Sequence, residues 1–364
     1  LDVVGFWGKG EKCRKNVKKA INGLFGVVDR HNIPFAVTFG NHDRETGISN
    51  DEQAKIYSEF KNCFCFDNLN DGRPDSGTYN IEILSSDEAS TALNVYVFDS
   101  QSKLKLGSYD SIKSEQIEWY KNKSHELKNK NNGKPIKSIV FQHIPVSEIY
   151  DLLKKVPKKT TGALPAYNNH KDEYYILDDE KIFYSGEYGE TPASPDVNSG
   201  QFEALKNQGD VFAMYFGHDH YNSFIGKVDG IDLGYCPGAG FNVYGIKGRG
   251  MRVFDFDEAD VTSYKTKVIG YKDVCKKSYA QPLRNFILTL IPSSTHAIPE
   301  FAAKVIPVLL AIILLLILAY RFISRKLVIA LLGILLGAGI LYSIFAFIRI
   351  SILKNKINRK DDRK

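Results

Sequence analysis

Three clusters of polar side chains follow short apolar runs in this sequence. They are Asn41-His42-Asp43, His143, and the pair His218 and His220. Eight histidines would be scattered if placed by chance, yet four of them stand where an apolar run ends. Ligands of open α/β sheets bind beyond the carboxyl ends of the strands. Imidazole and amide groups gathered there suit a borderline divalent metal such as Zn, Mn or Fe.

The spacing of His218 and His220 is compatible with two ions. In an extended chain, residues two apart point to the same side, with Cα atoms about 6.6 Å apart. Paired metals in hydrolases are about 3.5–4 Å apart. Each imidazole can then reach a different ion, so the sequence predicts a two-metal centre. A lone histidine is more often a hydrogen-bonded loop residue, which is our interpretation of His31, His125, His170 and His296.

These clusters need a sheet to bring them together. Apolar positions at helical spacing predict helices at 14–30, 52–62, 113–130, 146–155 and 201–207. Buried-type or alternating runs predict strands at 35–39, 78–84, 93–99, 138–141 and 211–216, and four short strands between 224 and 268. Residues 157–199 are predicted to form long loops. Helices alternating with strands indicate a layered α/β fold.

The motifs Gly40-Asn41-His42-Asp43, His143 and Gly217-His218-Asp219-His220 resemble, in order and spacing, the calcineurin-like metallophosphoesterases. Similarity to the purple acid phosphatase-like branch adds Phe141–Pro145, Asn198–Phe202 and Gly234–Gly238. The resemblance covers about residues 1–268. It implies a four-layer α/β/β/α sandwich and hydrolysis of a phosphate ester by metal-activated water.

The resemblance also assigns roles to individual residues. It makes Asn41, His143 and His218 ligands of one metal and His220 a ligand of the other. His42 becomes the histidine that stabilises or protonates the leaving oxygen, and Asp43 a support for a ring. The implied cofactors are two divalent ions, Mn, Fe or Zn.

The N-terminus departs from the family pattern. The family's Asp-x-His pair and the Gly-Asp that bridges both metals are absent, and Asp2 is a candidate remnant of that aspartate. We therefore expect the sequence to lack the family's first strand. We also expect it to be catalytically weak or inactive, while a longer parent would be active.

Two apolar segments, 301–320 and 327–348, each have about the 20 residues that span a bilayer. Together they predict a transmembrane hairpin. From residue 301 on, 11 Lys and Arg stand against two acids, a net charge of +9 that leaves −3 for the rest of the chain. A slightly acidic globular part makes a nucleic-acid partner unexpected. The basic join and tail favour a cytoplasmic location for the tail and catalytic domain.

The sequence thus predicts four regions: a phosphoesterase domain at 1–270, a linker at 271–300, two transmembrane helices at 301–348 and a basic tail at 349–364. The expected function is a membrane-anchored metallophosphatase with a phosphate-ester substrate and the lipid bilayer as partner. Two alternatives remain open. One is a membrane-bound pseudoenzyme that binds without turnover, and the other is a phosphodiesterase acting on lipids or nucleotides.

Overall fold

The computed structural model describes residues 10–66, 72–102, 104, 108–240, 245, 249–274 and 297–361. The Asp2 candidate and most of the predicted linker lie outside them. The chain divides into two compact units, residues 1–239 with 249–270, and residues 240–248 with 271–364. The fourfold division predicted above stays a prediction.

The first unit contains four α-helices and twelve strands among its described residues. The helices are α1 (Gly10–Arg30), α2 (Asn50–Tyr57), α3 (Ser114–Lys130) and α4 (Gln201–Gln208). The strands are β1 (Tyr79–Leu84), β2 (Thr91–Phe98), β3 (Ser138–Gln142), β4 (Leu153–Lys155), β5 (Leu164–Pro165), β6 (Tyr174–Leu177), β7 (Ile182–Tyr184), β8 (Val211–Phe216), β9 (Ile225–Val228), β10 (Ile231–Tyr235), β11 (Gly250–Asp257) and β12 (Asp260–Gly270).

A seven-stranded mixed sheet with the order β1-β2-β3-β8-β10-β9-β7 forms the centre of this unit. Strands β2, β3, β8 and β10 are parallel neighbours, and the outer pairs are antiparallel. Alternate side chains of β2, β3 and β8 point to opposite faces, so each face has its own apolar core. The carboxyl ends of β2, β3 and β8 meet at one edge of the sheet.

Helices α3 and α4 cover one face of the sheet. Tyr96, Val140 and Met214 pack there with Tyr120 and Leu205 of the helices. The opposite face is covered by two groups of elements. The β11–β12 hairpin packs on Ile139 and Tyr215 in the middle of the sheet, and α1 and α2 pack on Tyr79 and Val97 at its β1 edge. The α/β class is confirmed, with helices and a second, two-stranded sheet on the two faces.

Three local predictions are wrong. Residues 35–39 form no strand with the described residues but a single parallel bridge between Phe35 and Cys63; the Tyr79 hydroxyl bonds both the N–H and the C=O of Val37, at 3.0 and 2.5 Å. The predicted helix at 146–155 is a 3-10 helix, Ser147–Leu152, followed by β4. The predicted loops at 157–199 contain β5, β6 and β7, which are too short to show periodicity.

In the second unit, helix α5 spans Tyr271–Val274, α6 spans Ala297–Leu318, and α7 spans Arg325–Asp361; a π-helical turn, Ala319–Ile323, extends α6. Two stretches, Val305–Ile323 and Arg325–Phe345, are long and apolar enough to cross a membrane. Almost none of their surface is buried in the protein. The two predicted apolar C-terminal helices are therefore present.

Candidate metal centre

The sheet register brings two of the predicted histidines side by side. Gln142 and Phe216 are paired across β3 and β8, so the residues that follow them also face each other. The Gly217 N–H donates to the His143 carbonyl at 3.1 Å. A side chain on Gly217 would approach His143 Nδ1 to 3.1 Å, so glycine allows this close approach. Regular strand pairing thus positions His143 and His218.

His218 itself departs from the predicted extended geometry. Its φ of 63° is in the left-handed region, which costs a non-glycine residue about 1 kcal/mol or more. The extended backbone from which His218 and His220 were expected to point the same way is therefore absent at His218. The turn continues with a bond from the Asp219 N–H to the Gly217 carbonyl at 2.7 Å. Such strain persists where surrounding structure enforces it, often at functional sites.

Asn41 reaches the same point from a loop on the other side of the edge. Its Oδ1 lies 3.0 Å from His143 Nε2 and 3.1 Å from His218 Nδ1. The two ring nitrogens are 3.3 Å apart. Asn41 and His143 are buried and His218 is partly buried. Three of the five residues predicted to do the chemistry therefore meet as a triangle of donor atoms.

The triangle has the dimensions of a metal site. Ligand atoms about 2.1 Å from a central ion lie about 3.0 Å apart in an octahedron and about 3.4 Å apart in a tetrahedron. The observed separations of 3.0–3.3 Å fall in this range. In the described part of the chain, no group of three or more His, Cys, Asp or Glu side chains is arranged to hold a metal. The donor set is two imidazoles and one amide oxygen.

His42 and Asp43 are fixed by the turn that carries Asn41. Asp43 is fully buried and its Oδ2 accepts the Gly40 N–H at 2.7 Å. His42 Nδ1 lies 2.8 Å from Glu45 Oε2, with the ring about one third exposed. This contact orients the ring and places its other nitrogen, Nε2, away from Glu45. The role of His42 stays a prediction.

His220 lies two residues beyond His218 and is half-buried. Its Cβ is 3.5 Å from the position that a side chain on Gly238 would take. Between the two histidines, Asp219 accepts the Ala193 N–H at 3.2 Å. Burial raises the pKa of Asp219 to about 7. His220 as ligand of a second metal stays a prediction.

Sequence reasoning missed two residues at this site. Asp99 directly follows β2, as His143 follows β3, so the same strand-end argument would have found it. Its Oδ2 accepts from Arg44 at 2.7 Å and from Asn50 at 2.8 Å, which ties the Asn41 loop to the sheet. Tyr109 packs edge-on against His218, with ring centroids 4.4 Å apart, and no sequence signal marked it.

Two curated relatives from Arabidopsis thaliana match this chain. Probable inactive purple acid phosphatase 14 is 28% identical over 256 residues, covering 65% of this chain and 57% of the relative. Probable inactive purple acid phosphatase 29 is 27% identical over 250 residues, covering 64% and 58%. By sequence, the chain is similar to these purple acid phosphatase-like members of the calcineurin-like metallophosphoesterases. It spans a little under three fifths of these relatives.

No protein-family model matches the chain. A solved structure, a dimetal phosphatase from Danio rerio, aligns with a TM-score of 0.37 at 10% identity, covering 62% of this chain and 67% of that one. The predicted resemblance to this metallophosphoesterase family is confirmed by the relatives. Both Arabidopsis relatives are named as inactive, so similarity to them does not establish that this chain turns over a substrate.

Proposed function

We propose that this chain is a metal-dependent phosphoesterase that hydrolyses phosphate esters at a membrane surface. The observation that carries the proposal is the triangle of Asn41 Oδ1, His143 Nε2 and His218 Nδ1, with separations of 3.0–3.3 Å. Three residues far apart in sequence converge with their metal-binding atoms inward. The family that the chain resembles uses this type of site for phosphate esters.

Each side chain has a defined task in this proposal. Asn41, His143 and His218 would hold one divalent ion and His220 a second. Bound Mn, Fe or Zn would supply charge that polarises the phosphoryl group and lowers the pKa of water. His42 donates Nδ1–H to Glu45, and its Nε2 protonates the leaving alcohol oxygen. Tyr109 and the Gly217 close approach hold the two ligand rings in place.

Membrane attachment is part of the same proposal. The two long apolar helices form a hairpin in the bilayer, so both of its ends lie on one side. Lys and Arg number three in the join and seven in the tail. The charge rule therefore favours a cytoplasmic tail and catalytic domain.

A second candidate function is binding of phosphate esters without turnover. The relatives' names as inactive phosphatases favour it. So does the donor set, because no described carboxylate joins the triangle to bridge two ions. The two candidates share metal binding and differ in hydrolysis.

Manganese titration of the full chain in detergent, with hydrolysis of p-nitrophenyl phosphate, tests both. We expect His143→Ala to weaken manganese binding by about 100-fold or more, since losing even a supporting partner of a metal ligand costs about 10- to 100-fold. His125→Ala is the matched control, because His125 is exposed on α3. Equal manganese affinity in both variants would refute the metal site. Metal binding without turnover in the unaltered chain would favour the binding function.

A further inference from the structure

A polar cavity of about 140 Å³ is lined by segments that follow or hydrogen-bond to the loops of the predicted histidine ligands. Its walls come from the 3-10 helix after β3, the short 3-10 turn Asn168–His170, and the loop at 192–198. Ser147 in its wall is four residues after His143. Ala193, also in the wall, donates its N–H to Asp219 between the two predicted histidine ligands. The segments that line the cavity are thus continuous with the loop of His143 and hydrogen-bonded to the loop of His218 and His220.

Aromatic rings form one side of this cavity. The His170 ring stacks on Tyr150, with centroids 3.9 Å apart and planes at 21°. His170 Nδ1 contacts Glu173 Oε2 and the Tyr175 hydroxyl, each at 3.1 Å. The hydrogen bond from Lys155 lowers the pKa of Glu173 to about 2, so Glu173 is an ionised acceptor. His170 therefore donates Nδ1–H and its Nε2 is available to a ligand.

The remaining lining offers both donors and acceptors. Asp196 Oδ1 accepts the Asn169 N–H at 3.3 Å, while its Oδ2 bonds none of the described residues. The side chains of Asn168 and Ser194 also form no hydrogen bond within the described ranges. A neutral hydroxyl can donate to a carboxylate oxygen and accept from an amide or hydroxyl. The pattern suits a ligand that carries several hydroxyl groups.

The size of the cavity and the charge around it further restrict the class of ligand. A cavity of about 150 Å³ holds benzene in an apolar protein core, so the 140 Å³ here has room for about one ring of six atoms. Glu148, bonded to Asn198 of the lining at 2.7 Å, adds a second acid to Asp196 near the cavity. Acidic surroundings disfavour a second phosphate or another anionic group.

We propose that this cavity, defined by Asp196, Asn168, Ser194 and His170, binds the alcohol part of the substrate as a sugar or cyclitol ring. The phosphate ester would then extend towards the metal centre. The proposal rests on the proposed phosphoesterase function for its substrate, but ring binding itself does not require turnover. A test of binding and a test of turnover therefore fail separately.

The binding arm uses saturation-transfer NMR of the full chain in detergent, metal-free, with glucose as the probe. Asp196→Asn keeps the shape and the Oδ1 acceptor while replacing the ligand-facing oxygen. We expect it to weaken glucose binding about fivefold, the equivalent of one hydrogen bond. The matched control is Asp179→Asn, on an exposed turn. No glucose signal in the unaltered chain, or equal signals in both variants, overturns the proposal.

The kinetic arm compares glucose 6-phosphate with p-nitrophenyl phosphate. Asp196→Asn should raise KM for the sugar phosphate about fivefold and leave kcat and the aryl phosphate unchanged. Glucose binding without any turnover would reject the phosphoesterase function and retain the ring site. Preference for a phosphoserine peptide over the sugar phosphate would overturn the ring assignment.

Discussion

The two halves of the candidate metal centre are built in different ways. His143 and His218 follow β3 and β8, two central strands whose backbone ladder sets their positions. Asn41 follows a segment that has one bridge to the described residues, at Phe35. A side chain also holds that segment, since the Tyr79 hydroxyl bonds Val37.

This difference teaches where the site is vulnerable. A ladder spreads its stabilisation over many bonds, so no single side-chain change displaces it far. The Asn41 half depends on a few buried side-chain bonds, and each one matters more. Conservative substitutions should therefore affect manganese affinity differently in the two halves.

Among conservative substitutions outside the predicted metal ligands, the largest effect is expected from Tyr79→Phe. It removes the partner of both the N–H and the C=O of Val37, buried groups whose loss costs about 2–3 kcal/mol of unfolding free energy. The segment that leads to Asn41 should shift, so manganese affinity should fall about tenfold. Thermal melting and manganese titration of the full chain measure the two quantities.

Tyr120→Phe is the matched control on the other face of the sheet. Tyr120 donates its buried hydroxyl to Asp210 Oδ1 at 2.5 Å. Its loss should lower stability by a similar amount and leave manganese affinity unchanged. If both variants lose affinity equally, the distinction between the two halves is wrong.

An intermediate effect is expected at Asp75, near Asp99 and the Asn41 loop. Burial, and secondarily the charge of Asp99, raises the pKa of Asp75 from 3.8 to about 6. Between these values the folded state keeps a proton that the unfolded state releases. The free energy of unfolding therefore falls as pH rises from about 4 to 6.

Asp75→Asn removes this dependence and keeps one acceptor oxygen for the Gly77 N–H, while its amide group takes the place of the oxygen that accepts from Thr78. We expect it to be more stable than the unaltered chain by about 1–2 kcal/mol at pH 7, with no gain near pH 4. Melting temperatures across this range measure it. Exposed Asp179→Asn should leave the pH profile unchanged, and an identical profile for Asp75→Asn would contradict the assignment.

The smallest effect is expected at Tyr109, which supports the ladder-built half from outside. Edge-to-face ring contacts contribute about 0.5–1.5 kcal/mol. Tyr109→Leu should therefore weaken manganese binding about threefold, whereas Tyr109→Phe, which keeps the ring, should retain affinity. If the Phe and Leu variants lose affinity alike, the hydroxyl and not the ring contact with His218 is responsible.

Most of the fold was predictable because its elements are long and periodic. Helices α1 and α3 and strands β1, β2, β3 and β8 lie close to their predicted positions. The strand predicted at 35–39 was wrong because an apolar run cannot show that a distant tyrosine hydroxyl bonds the backbone of Val37. The short strands β4 to β7 escaped prediction for lack of length.

The site was predictable where residues follow strands. His143 and His218 were found by this rule, and so was Asn41, although the apolar run before it is not a strand. The edge contact of Tyr109 arises from a loop that returns over the site, which no local pattern encodes. The left-handed backbone at His218 was equally hidden, since histidine gives no sign of it.

That backbone has a consequence for how the chain tolerates change. Glycine would relieve the backbone strain at position 218 but remove the imidazole. Any other replacement would remove the imidazole and keep the strain. Folding and ligand binding thus make opposite demands on one residue. The same substitution, His218→Gly, would therefore raise the stability of the fold and remove a predicted metal ligand.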